Sequence, residues 1–232
     1  MKKSKKQLAL IISALGAGVL YTPLQALAQA NVLEEVIVTA QKRDEALQDV
    51  PITITALTAD KLEQANFSSL NDLQTMVPGL RIDAAGAFSQ PTVRGVGSSI
   101  AGVGFSSNIA TFIDGFYIPS QATTNMQLIS LQTVNVLKGP QGTLFGRNAT
   151  GGAILLTMLE PSEAPTAKIK PSYASYNHST VQAYGSRALT DTIAADISGY
   201  WEESDGYVKN VVTGSDRDGA LQRRGIRLSG VW

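Results

Sequence analysis

The 232-residue chain has no cysteine and a single histidine, His178. Without thiols it forms no disulfide, offers no thiolate nucleophile and builds no cysteine metal site, so its stability rests on packing and sheet pairing alone. One histidine leaves little room for a histidine metal cluster or a Ser-His-Asp arrangement. His178 lies in the polar run Tyr176-Asn177-His178-Ser179-Thr180 and reads as a solvated turn residue. Nor is there an excess of charge of one sign: 19 Lys and Arg balance 19 Asp and Glu, so the basic surface that marks a nucleic-acid partner is missing. The apolar run over residues 8–20 is shorter than the roughly 20 residues that a spanning helix needs.

That run has four lysines before it, among the first six residues, and Ala26-Leu27-Ala28 after it. Basic start, short apolar middle and small-residue end make residues 1–28 a secretory signal peptide with cleavage expected after Ala28. Cleavage removes four lysines and no acids, which takes the chain from zero charge to minus four.

What the chain has in quantity is glycine, and residues 134–157, VNVLKGPQGTLFGRNATGGAILLT, concentrate it. Val134 and Val136 on one side and Ile154, Leu155 and Leu156 on the other are β-prone flanks. Gly139, Gly142, Gly146, Gly151 and Gly152 between them mark tight turns or close backbone approach. A phosphate-binding loop would need Lys and then Ser or Thr after its last glycine, whereas Arg147 and Asn148 follow Gly146. The pairs Gly95/Gly97 and Gly102/Gly104 lack the third glycine of a dinucleotide fingerprint. No catalytic constellation appears, so an enzyme is not expected.

The stretch LKGPQGTLFGRNATGGA resembles the signature in the plug domain of TonB-dependent outer-membrane receptors, in which a V-x-V-L-K-G-P strand precedes a turn and an Arg-Asn pair. Where members of that family commonly continue I-N-I-x-T-K, this chain has Ile154-Leu155-Leu156-Thr157-Met158-Leu159. The resemblance implies plug-signature roles for Arg94, Gly95, Asp114, Gly115, Lys138, Gly139, Pro140, Gly142, Gly146, Arg147, Asn148, Gly151 and Gly152. It also implies that Arg147 faces a barrel wall whose carboxylates could pair with it. Residues 100–108 become the candidate loop for meeting substrate, with Ser98, Ser99, Phe105, Ser106 and Asn108 as its facing residues.

Within residues 31–42, NVLEEVIVTAQK, two acids precede the β-branched run Val36-Ile37-Val38-Thr39. Such a run reads as a first strand or a linker; in this context it looks like the family's TonB box, Glu35, Val36, Ile37, Val38, Thr39 and Ala40. An extended β-branched peptide is suited to adding a strand to the sheet edge of an energy-transducing periplasmic partner. Further on, the alternation in Pro51-Ile52-Thr53-Ile54-Thr55 predicts a strand, and residues 59–65 a helix capped by Thr58 with Asp60 in its first turn. Ser69 and Asp72 have capping-box spacing for a second helix carrying Leu70, Leu73 and Met76, which Pro78-Gly79 ends. Residues 80–82 and 92–94 read as strands, and residues 110–118 as a hairpin turning at Asp114-Gly115.

The composition shifts at residues 161–165, PSEAP, and beyond it the aromatic residues are all Tyr or Trp, as at a membrane–water interface. Ile193, Ala195, Ile197, Gly199 and Trp201 alternate with Thr192, Ala194, Asp196, Ser198 and Tyr200. Ile226, Leu228, Gly230 and Trp232 alternate with Arg227, Ser229 and Val231, so one face suits lipid and the other a wet lumen. Less regular strands are expected near residues 168–176 and 180–187, with a tight turn at 188–191 and a long polar loop at 202–221.

The expected organisation is a signal peptide (1–28), a TonB box and linker (29–47), an α+β plug domain (48–160) and antiparallel transmembrane β-strands (161–232) of an incomplete outer-membrane β-barrel. Transporters of this kind close about 22 strands, and an open edge is not viable in hydrocarbon, so the chain is expected to be either a fragment of a longer receptor or a truncated product. Active uptake of a scarce nutrient such as a ferric siderophore is then the expected function. Its partners would be a TonB-type periplasmic protein, outer-membrane lipid and the nutrient, with no nucleic acid, cofactor or metal. A passive porin and a plug-only periplasmic binding module are the alternatives.

Overall fold

The computed structural model describes residues 37–38, 45–46, 51–85, 88–122, 128–206, 211–212 and 220–232, all within one compact unit, Glu35–Trp232. The expected signal peptide, residues 1–28, lies outside the described residues. The first strands, β1 (Ile37–Val38) and β2 (Glu45–Ala46), pair antiparallel with each other, Ile37 opposite Ala46 and Val38 opposite Glu45.

An α+β domain follows, built on a five-stranded sheet. Its strands are β3 (Thr53–Thr58), β7 (Ile109–Ile113), β8 (Phe116–Ile118), β9 (Leu131–Lys138) and β10 (Gly152–Met158), in the order β3-β9-β10-β7-β8. The pair β9–β10, antiparallel from Gly152 opposite Lys138 to Leu156 opposite Val134, is its centre, and β10 runs parallel to β7. Met158 at the end of β10 still belongs to the strand, so Leu155, Leu156 and Thr157 sustain it without the Asn and Lys common elsewhere.

Alternation splits the sheet into two apolar faces. Leu57, Val134, Val136, Ile154 and Leu156 pack under the helices α1 (Ala59–Gln64) and α2 (Leu73–Met76), together with Leu62, Leu70, Leu73 and Val77. Leu137, Ala153 and Leu155 form a smaller cluster with Ile54, Phe112 and Phe145 on the other face. A three-stranded sheet, β4 (Leu80–Ala85), β5 (Phe88–Val93) and β6 (Val96–Gly97), adds Leu80, Ile82 and Val93 to the main core.

Several local expectations shift. The first strand of this domain begins at Thr53 rather than Pro51, because its pairing with β9 runs from Thr53 opposite Lys138 to Thr58 opposite Thr133; Pro51 has no N–H to contribute. Thr58 occupies the N-cap position of α1, yet its hydroxyl makes no capping bond. The second helix opens as a 3-10 turn, Leu70–Asp72, before α2. The Asp72 carboxylate accepts from the Ser69 N–H at 2.8 Å and also from the Ser68 N–H at 2.8 Å. Residues 92–94 are not all strand: β5 ends at Val93, and Arg94 (φ +51°) and Gly95 (φ +84°) form a two-residue turn into β6.

The remaining strands form an antiparallel meander of β11 (Thr166–Ala174), β12 (His178–Thr190), β13 (Ile193–Ser204) and β14 (Leu221–Val231). His178 is therefore not a turn residue. The turn is made by Tyr176 (φ +61°) and Asn177 (φ +53°), and His178 opens β12. The strands also run further than alternation predicts, β12 to Thr190 and β13 to Ser204, which shortens both connections.

Ile169, Tyr173, Ile197, Trp201, Ile226 and Leu228 are exposed on one face of the meander. On the other, Ser186, Asp196, Ser198 and Glu202 are buried. The register aligns Ser186, Asp196 and Ser229 in one row and Tyr184, Ser198 and Arg227 in the next. The connection from β10 runs along this polar face: the Ser162 N–H donates to Ser186 Oγ at 2.7 Å, and the Ala188 N–H to the Glu163 carbonyl at 3.3 Å.

Candidate functional site

The glycine-rich signature closes the gap between β9 and β10 with backbone bonds. The Gly139 N–H donates to the Gly151 carbonyl (3.1 Å) and the Gln141 N–H to the Ala149 carbonyl (2.8 Å), around the short helix α3 (Gly142–Phe145). Gly139, Gly146 and Asn148 all have positive φ, at +106°, +75° and +68°. At Asn148 that conformation aims the side chain at β8, where its Nδ2 donates to Tyr117 Oη at 2.7 Å. Lys138 Nζ donates to the Pro78 carbonyl at 2.8 Å. Partial burial, and after it the nearby Arg94 charge, hold the Lys138 amine below the usual lysine range.

The same signature holds the base of the 98–108 loop. The Gly151 N–H donates to the Asn108 carbonyl (3.0 Å), and Asn108 Nδ2 reaches across the loop to the Gly97 carbonyl (2.9 Å). A Cβ at Gly151 would meet Ile109 Cδ1 at 2.7 Å and Val96 Cγ1 at 2.8 Å, so those side chains would have to shift to admit one. Of the expected facing residues, Ser99, Phe105 and Ser106 are exposed, while Ser98 and Asn108 are half-buried. Ile100 and Val103 stand out beside them, although the sequence pattern singles out neither as a facing residue.

Asp114 and Gly115 form the expected hairpin turn, with φ of +48° and +81°. The Asp114 carboxylate does more than favour the turn. Its Oδ1 accepts from the Met158 N–H at 2.8 Å, at the end of β10, and its Oδ2 lies 3.9 Å from Arg227 Nη2 on β14. Arg227 in turn lies 3.7 Å from Asp196, whose side chain is fully buried and accepts no hydrogen bond among the described residues. A second carboxylate on this face, Glu202, meets His178 Nε2 at 3.0 Å and Arg223 at 3.9 Å. Alternation puts Asp196 and Arg227 on the polar side of their strands but cannot pair them, since pairing depends on register.

Arg147 is exposed and makes no ion pair or hydrogen bond among the described residues, so the expected carboxylate partner is not among them. Two ion pairs between the α+β domain and the meander have the reverse polarity, Asp114–Arg227 at 3.9 Å and Glu63–Lys168 at 4.0 Å, each with the acid on the α+β domain and the cation on the meander. Of the expected partner-binding segment only Ile37 and Val38 are described, as β1; Glu35, Val36, Thr39 and Ala40 lie outside the described residues. A cleft of about 830 Å³ separates α1 from β11 and β12, with Leu62 and Phe67 on one side and Lys168, Lys170 and Tyr184 on the other.

Residues 46–153 match the family model of the TonB-dependent receptor plug domain. The chain is 30% identical over 209 residues to the pesticin receptor of Yersinia pestis, covering 87% of this chain and 30% of that protein. It is 28% identical over 221 residues to the vitamin B12 transporter BtuB of Vibrio vulnificus, covering 90% of this chain and 34% of the other. Among solved structures, the ferric yersiniabactin uptake receptor FyuA from Yersinia pestis superposes with a TM-score of 0.69 at 27% identity, over 76% of this chain and 28% of that one. The ferripyoverdine receptor of Pseudomonas aeruginosa, at 17% identity and a TM-score of 0.64 over 75% of this chain and 23% of its own, shares the fold. The chain spans about a third of the length of the curated relatives it matches.

Proposed function

Because the chain belongs to the TonB-dependent receptors through its plug domain, we propose that it is the N-terminal part of an outer-membrane receptor for active uptake of a scarce nutrient, in first place a ferric siderophore. The observation that carries this reading is the joining of two pieces in one compact unit. A loop held up by the plug signature presents apolar groups to its surroundings, and a meander of strands turns its polar face inward and its apolar face outward. The outward Ile, Leu, Tyr and Trp side chains suit outer-membrane lipid. Among the relatives, FyuA is a ferric yersiniabactin uptake receptor, which favours iron; the resemblance to BtuB keeps cobalamin as the second reading. In this proposal residues 1–28 are the cleaved signal peptide, 29–47 the TonB box and linker, 48–160 the plug and 161–232 the first wall strands. The test is growth and radioiron uptake under iron limitation in cells carrying the complete receptor, with and without the energy-transducing protein. Uptake that does not depend on that protein would replace this reading with a passive pore.

The box in this proposal works through its backbone. Successive N–H groups of an extended strand point to opposite edges, and in β1 one edge already faces Glu45–Ala46. Proline removes an N–H, so at least one of Ile37→Pro and Val38→Pro should take a bond from the periplasmic partner. That variant is expected to lose uptake by about tenfold or more, since each 1.4 kcal/mol is a factor of ten, while Ile37→Ala and Val38→Ala lose much less. Nutrient binding, measured separately on the same cells, should be unchanged in all four. Normal uptake in both proline variants removes the box from these residues.

A further inference from the structure

The proposed substrate-facing loop carries an unusual restriction. From Gly95 to Ile113 the chain has no Asp, Glu, Lys or Arg. Its exposed part is apolar instead: Ile100 is 53%, Val103 91% and Phe105 50% exposed. Serines 98, 99, 106 and 107 supply only neutral hydroxyls, and two of these are already turned to the loop's own backbone, Ser98 toward Ile100 and Ser107 to the Ile109 N–H at 3.1 Å. The tip is a turn in which the Phe105 N–H donates to the Gly102 carbonyl at 3.4 Å. The Phe105 ring packs over Gly102, close enough that a Cβ there would lie 3.2 Å from Cδ2. With its base held by Asn108 and Gly151, the loop offers Val103 and Phe105 from a defined backbone.

Two charged groups border the segment, and neither lies within residues 95–113. Arg94 sits in the turn before β6, at the opposite end of that strand from the loop. Asp114 accepts from the Met158 N–H.

We propose that the face of the ligand received by this loop is uncharged and apolar or aromatic, so that the nutrient is a neutral chelate or a comparable neutral amphiphile rather than a multiply charged anion. The inference rests on the reading of residues 98–108 as substrate-facing. Its physical basis is desolvation: an anion pressed against Ile100, Val103 and Phe105 loses water and gains no cation from residues 95–113 in exchange. A neutral apolar face gains from the same burial.

Binding of three probes to the purified complete receptor tests it: a neutral ferric trihydroxamate, cyanocobalamin, and a ferric tricatecholate of charge minus three. The expected result is that at least one neutral probe binds tenfold or more tightly than the trianion, and that Phe105→Ala weakens it by about tenfold to a hundredfold. Phe105 is half exposed, so its truncation leaves the core untouched, and unchanged heat-modifiable mobility of the variant checks this. Tighter binding of the trianion, weakened by Phe105→Ala, overturns the neutral-ligand inference and leaves the loop as the substrate site. Binding of any probe that ignores both Phe105→Ala and Val103→Asp overturns the loop assignment and the inference with it. Failure of both neutral probes to bind also overturns the inference.

Discussion

Arg227→Leu is expected to destabilise the wall strands by about 3–5 kcal/mol, the cost of leaving a buried charge without its partner. The charge in question is Asp196, whose side chain is fully buried and has Arg227 3.7 Å away. No hydrogen bond among the described residues shares the load. Asp196→Leu combined with Arg227→Leu should then recover most of the loss, because an apolar pair of similar volume has no charge to desolvate. Asp114→Asn provides the contrast. Asp114 lies 3.9 Å from the same arginine but is 41% exposed, and exposed pairs contribute about 0–1 kcal/mol. The asparagine keeps an oxygen for the Met158 N–H, so its effect should be small. The temperature at which the complete receptor loses its heat-modifiable mobility ranks the variants. A double variant no more stable than Arg227→Leu would mean that the buried pair is not the source of the loss.

Gly152→Ala should be the most damaging single-methyl substitution in the plug, by about 2–4 kcal/mol. Gly152 begins β10 at φ +150°, and a Cβ there would be driven into the carbonyl oxygen of Leu137, which belongs to the paired strand and cannot give way as a flexible side chain would. Gly142 is the internal control. It lies in α3, nothing stands within 4 Å of its hypothetical Cβ, and its φ is not positive. Alanine there should be neutral or stabilising by about 0.4–1 kcal/mol. Limited proteolysis of the complete receptor, followed by the rate of cleavage within the plug, separates the two. Equal resistance of Gly152→Ala and Gly142→Ala would show that the tight approach at β9–β10 is relaxed at little cost.

These two sites differ in how far sequence could find them. Gly152 is visible because a glycine at the start of an apolar strand commonly marks a place where another backbone comes close. Asp114-Gly115 is visible for a similar reason, since that dipeptide between β-prone runs favours a turn with both φ positive. The Ser69–Asp72 spacing and the alternation over residues 193–201 likewise depend on neighbours in the chain. Arg94-Gly95 makes the same kind of turn, but arginine carries no turn signal, and Arg94 reads as the end of a strand. His178 looks solvated because the residues around it in sequence are polar. Its partner Glu202 comes from the neighbouring strand, at a position set by register. Arg147 belongs to the matching motif, but a motif does not contain the surface that the residue faces, and the pairing of Asp114 with Arg227 is likewise set by contacts between distant parts of the chain.

The buried side of the meander has a mechanical consequence. On this polar face the 160–164 segment meets Ser186, and the Asp114 turn meets Arg227, the partner of buried Asp196. Across this joint run the Ser162–Ser186 and Ala188–Glu163 hydrogen bonds, and separation exchanges them for bonds to water at little net change. Separating Leu73 from Val77, Leu70 and the sheet beneath them exposes apolar area that water does not compensate. In the receptor proposed above, a load applied at the N-terminal end is therefore expected to part the joint between plug and wall before it opens the plug's helix-covered core.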